Sequence, residues 1–182
     1  MYELAIIIVC FVLVVTMFHI MGASSEWFNT PEEAWKTIEF YNQEDFEPVC
    51  KIQGTNICVF VGRSKADGFG IDTYISVKQD NNKWRQMSGK DKTVEKYSNG
   101  LQCTVCYSED CQEAIVVVSP LTLTKAQSQP SVIVDSQNST FSERKIQRTD
   151  DTYYYQYETV LTSIDKNYWI EINGEKVKPF SE

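Results

Sequence analysis

Twenty residues without a formal charge, LAIIIVCFVLVVTMFHIMGA, run from Leu4 to Ala23 before any regular alternation of apolar and polar positions begins. Wound as a helix, such a run covers roughly 30 Å, the thickness of a bilayer's hydrocarbon core. The reading adopted is a retained single-pass transmembrane helix, with the lipid bilayer as its first partner. A cleaved signal peptide is the alternative: small residues Gly22 to Ser25 follow the run, yet no Lys or Arg precedes it and it exceeds the usual signal core. Cys10 lies among Ile8, Val9 and Phe11 and reads as an apolar filler.

Past a short connector at 24–29, the pattern turns helical. Thr30-Pro31-Glu32-Glu33 spells a capping box, in which the Thr hydroxyl takes an orphan amide and the Glu returns a bond. Ala34, Ile38 and Tyr41 then recur at helical spacing with Trp35 alongside, which predicts a helix over about 31–42 laid against a sheet. From Val49 onward the period shortens to two. Strands are expected at 49–52, 57–61, 71–77, 101–107, 114–119, 132–135, 153–161 and 168–172, with a polar turn over 80–83 before Trp84. Asn173-Gly174 suits a two-residue hairpin turn and sets Ile172 opposite Glu175, Glu171 opposite Lys176 and Ile170 opposite Val177. Residues 125–151 are poor in large apolar side chains and predict a long polar surface excursion, or an edge strand with flanks. The expected fold class is therefore α+β: a single N-terminal transmembrane helix at 1–23, then one mainly antiparallel β domain at 30–182 with an early packing helix.

Charge and composition narrow the chemistry. The formal charge of −8, from 25 acids against 17 Lys and Arg, opposes attraction to a phosphate backbone, so no nucleic-acid partner is expected. His19, inside the apolar run, is the only histidine. The domain after Ala23 therefore lacks the base of the common Ser-His-acid and Cys-His arrangements, and no catalytic residue is assigned. Asp67 and Asp72 flank Gly68-Phe69-Gly70, which reads as a turn entering a strand, and the glycines do not complete a phosphate-loop or dinucleotide pattern. No cofactor and no metal are expected.

Cys50, Cys58, Cys103, Cys106 and Cys111 follow the apolar run, an odd number for an oxidising exterior. Cys50 with Cys58 is one expected disulfide, provided that an odd-length turn sets them opposite each other. In a strand, Cys103 and Cys106 point to opposite faces, so Cys106 with Cys111 is the second expected pair and Cys103 remains as a thiol. Tyr153, Tyr154, Tyr155 and Tyr157 put aromatics on both faces of one strand, a candidate binding surface for a protein, peptide or carbohydrate. Asn138-Ser139-Thr140 matches the acceptor pattern for N-linked sugar. Together these features imply a membrane-tethered, extracytoplasmic domain with a non-enzymatic binding or envelope-associated role and a protein or cell-wall partner. Two other readings remain open: a carboxylate-dependent surface hydrolase, and a structural or assembly component of a membrane complex.

Overall fold

A computed structural model describes residues 27–36, 46–64, 73–87, 92–98, 101–110, 112–120, 133–147, 153–172 and 174–181. The apolar run at 4–23 lies outside them, as do Asp67, Asp72 and Cys111. Among the described residues no helix is long and apolar enough to cross a membrane. What they form is mainly antiparallel β-sheet with one short helix, an α+β arrangement.

The helix, α1, is Pro31–Lys36. Its start follows from the capping box: the Thr30 Oγ1 accepts the Glu33 amide at 3.2 Å. The return bond lands one residue earlier than the motif requires, on the Asn29 amide, which donates to Glu33 Oε2 at 3.0 Å. Ile38 and Tyr41 of the expected stripe lie outside the described residues. Ala34 is fully buried against the first sheet, and Trp35 stacks on Phe60 at 5.4 Å between ring centres.

That sheet runs in the order β1 (Phe46–Gln53), β2 (Ile57–Ser64), β3 (Thr73–Asp80), β4 (Lys83–Gln86), each antiparallel to the next. Asn81 and Asn82 close the β3–β4 turn with φ of 50° and 61°, the left-handed pair that a two-residue hairpin demands and asparagine tolerates. The second sheet has the order β5 (Lys92–Ser98), β6 (Leu101–Ser108), β7 (Glu113–Pro120), β10 (Tyr153–Leu161), β9 (Ser142–Gln147). A third, of three short strands, runs β12 (Glu175–Val177), β11 (Ile170–Ile172), β8 (Ile133–Asp135). The β11–β12 register is the expected one, Ile172 opposite Glu175, Glu171 opposite Lys176 and Ile170 opposite Val177. Within the polar stretch 125–151 the described residues include β8, where a strand is expected over 132–135, and the edge strand β9.

The five-stranded sheet sits in the middle and is covered on both faces. One face sends Cys103, Val105, Ala114, Val116, Val118, Tyr157 and Leu161 into a core shared with Tyr168, Ile170, Ile172 and Val177 of the third sheet region. The other sends Cys106, Ile115 and Val117 against Ile52, Ile57, Val59 and Val61 of the first sheet. This is why Ala114 to Val118 is an unbroken apolar run: a strand buried on both faces has no position to give to solvent. The far face of the first sheet carries Cys58, Phe60, Val77 and Trp84 toward α1.

Candidate functional site

One end of the central sheet opens into a cleft of about 320 Å³, built by three separated segments. Tyr107, Ser108, Glu109, Gln112 and Glu113 come from the β6–β7 turn, Ser163 to Lys166 from the connection after β10, and Phe180 from the C-terminal tail. The tail is held in place at both of its sides. Phe180 meets Tyr107 edge-on at 5.5 Å, and the Lys96 ammonium donates to the Ser181 carbonyl at 3.0 Å. Asp165 organises the second wall, its Oδ1 accepting the Asn167 amide at 2.7 Å in an Asx turn.

The buried carboxylate of the cleft, Glu113, is committed elsewhere. Its two oxygens accept the backbone amides of Thr55, Asn56 and Ile57 at 2.7, 2.6 and 2.8 Å, tying the β1–β2 turn of the first sheet to the start of β7 in the second. Gly54 precedes these amides for a steric reason: a Cβ there would lie 2.7 Å from Glu113 Oε1. A carboxylate held by three amides clamps the two sheets together. Glu109, Asp165 and Lys166 supply the cleft's remaining charge, beside the hydroxyls of Ser108 and Ser163. Among the described residues no group of His, Cys, Asp and Glu has the arrangement of a metal site. Chemically, the cleft offers an aromatic wall, a mixed charged rim and hydroxyl donors.

The cysteines stand differently from expectation. Cys50 and Cys58 are both thiols, and the expected bridge between them is not formed. The β1–β2 register pairs Cys50 with Val61 and Cys58 with Gln53, so the two side chains leave the sheet on opposite faces, Cys50 toward the central sheet and Cys58 toward α1. The bridge needs an odd-length turn centred on position 54, whereas Gln53 pairs with Cys58 across an even turn of residues 54–57, centred between positions 55 and 56. Cys106 is a fully buried thiol that accepts a hydrogen bond from Thr93 Oγ1 at 3.7 Å, while its expected partner Cys111 is outside the described residues. Cys103 is a thiol buried in the opposite core. Burial pushes Cys58 and Cys103 up to about 12, so both stay protonated and inert at neutral pH.

The four tyrosines divide by depth. Tyr154 and Tyr157 are buried, on opposite faces, because the central sheet that β10 belongs to is covered on both sides. Tyr153 and Tyr155 are half-buried and meet edge-on at 5.7 Å, with the Lys145 ammonium 3.7 Å above the Tyr153 ring. A contact surface on this strand therefore consists of these two rings. Asn138 is exposed in the turn after β8, with φ of 53° and its amide donating to the Asp135 carbonyl at 3.2 Å.

Two buried carboxylates escaped the sequence pattern. Glu113 reads locally as an acid at a strand start, and only its 57-residue separation from Asn56, closed by the fold, gives it a role. Asp135 likewise accepts the buried Tyr168 hydroxyl at 2.8 Å across 33 residues. Comparison with known families, curated proteins and solved structures finds no match for this chain.

Proposed function

We propose that the chain is a single-pass membrane protein whose β domain stands outside the cytoplasm and binds, without catalysis, a protein or cell-wall partner through the cleft at the β6–β7 turn. The uncharged apolar run at 4–23 supports the tether, and the short connector keeps the domain near the bilayer surface. The observation that carries the binding reading is the commitment of Glu113. The rival surface-hydrolase reading needs the buried carboxylate of the cleft turned toward a substrate, and Glu113 spends both oxygens on backbone amides, while Glu109 and Asp165 stand exposed on the rim. What remains, the Tyr107–Phe180 pair with a polar rim, is the composition of a contact site.

A photo-crosslinking side chain placed at Phe180 of the full-length protein in intact cells tests this. A discrete adduct is expected from position 180 and none from the exposed Ser142 on β9. Equal labelling from both positions, or none from 180, contradicts a partner in the cleft.

A further inference from the structure

We infer that Cys50 is a covalent acceptor site for a small, carboxylate-bearing thiol, delivered as its disulfide. The site is assembled by three strands. Cys50 projects from β1 toward the central sheet, half-buried, and its Sγ accepts a hydrogen bond from Gln156 Nε2 of β10 at 3.5 Å. The same amide nitrogen donates to Glu158 Oε2 at 3.0 Å. Arg144 of β9 then grips Glu158 through two bonds, Nε to Oε2 at 3.2 Å and Nη2 to Oε1 at 2.5 Å. The charged groups facing the sulfur are thus Arg144 and Glu158, and the carboxylate of the pair is already neutralised by a guanidinium fork. The Glu158 hydrogen bond raises the Arg144 guanidinium against the effect of burial, with a smaller contribution from the nearby Cys50.

Two features point to a ligand at this sulfur. Gln156 is fully buried, yet its Oε1, on the amide whose nitrogen touches Cys50, has no hydrogen-bond partner among the described residues. A buried acceptor left unmet is costly, and an N–H of a molecule attached to Cys50 would satisfy it. Arg144 keeps 40 % of its side chain exposed, where a carboxylate on the same molecule can reach the guanidinium. Cys58, Cys103 and Cys106, by contrast, are sealed in cores.

The reaction is ordinary thiol–disulfide exchange. Cys50 loses its proton to solvent and its sulfur attacks one sulfur of the reagent. The reagent's S–S bond breaks as the new one forms, and the departing half leaves as a thiolate that takes a proton from water. Cys50 is oxidised to the mixed disulfide and half of the reagent is reduced to thiol.

The test exposes the full-length protein to oxidised glutathione, which carries carboxylates, and separately to cystamine, which is a dication, and maps adducts by peptide mass. The chain's net charge of −8 would favour the dication everywhere. We therefore expect the informative reversal at Cys50 alone, with the glutathione adduct forming faster by about fivefold at low salt. Arg144→Gln is expected to abolish that preference and Arg144→Lys to retain it, and in the unaltered protein 1 M salt is expected to remove most of it. No adduct at Cys50 in the folded protein, an equal or faster reaction with cystamine, or a preference that survives both Arg144→Gln and high salt would overturn the inference.

Discussion

Replacing Glu113 by alanine is expected to lower the unfolding free energy by about 3–5 kcal/mol, the combined effect of three charge-assisted bonds and of amides left without an acceptor. The Ile57 amide is buried and finds no water, while those of Thr55 and Asn56 lie nearer the surface and recover part of their loss. Gly54→Ala is expected to cost about 1–3 kcal/mol for a different reason, since its Cβ would meet a carboxylate that three bonds hold in place. The two changes share one contact and should therefore couple. Once Glu113 is alanine, Gly54→Ala has little left to collide with, so the double variant should be more stable than the summed single effects allow. Urea unfolding of all four proteins measures this. Strict additivity would show that the β1–β2 turn is held by something other than this carboxylate.

The second large effect is expected at Asp135. Its Oδ2 accepts the Tyr168 hydroxyl at 2.8 Å inside the core, and its Oδ1 accepts the amides of Gln137 and Ser139 at 3.1 and 2.7 Å. Burial, reinforced by that carboxylate, pushes the Tyr168 phenol far up, so it remains a donor throughout the stable range. Asp135→Ala should cost about 2–4 kcal/mol, because it strands a buried phenol and two turn amides at once. Tyr168→Phe should cost less, about 1–2 kcal/mol, since Oδ1 keeps both amides and only one acceptor is orphaned. An effect of Tyr168→Phe larger than that of Asp135→Ala in the same unfolding assay would reverse the assignment of Asp135 as the hub. The third sheet depends on this hub, since β8 ends at Asp135 and β11 begins two residues after Tyr168.

Elements governed by neighbouring residues were legible in the sequence, and those governed by distant ones were not. The β11–β12 register follows from Asn173-Gly174 and its flanking apolar and charged positions, and the capping box places the start of α1 within one bond of its observed form. β5 and β9 were harder to read for a physical reason. They are the edges of the central sheet, and Ser142 to Gln147 buries only Ile146, so backbone pairing with β10 supplies the strand character that the side chains do not advertise. The tyrosines on β10 pattern as a two-faced strand, but no local signal shows that both faces are covered, and this buries Tyr154 and Tyr157. The expected Cys50–Cys58 bridge failed on the placement of a turn. The bridge required an odd-length turn, and the turn is even because the register depends on where Ile52, Ile57 and Val59 find the central sheet. The cleft was illegible altogether, being assembled from three segments that are separate in the chain.

The proposed role rests on the side of the membrane that the β domain occupies. A tag after Glu182 on the full-length chain, followed during protease treatment of intact cells, reads this directly. If the run at 4–23 tethers an exported domain, the tag disappears from intact cells while a cytosolic marker survives. A tag that persists until the cells are lysed would place the domain inside and contradict the proposed exterior partner.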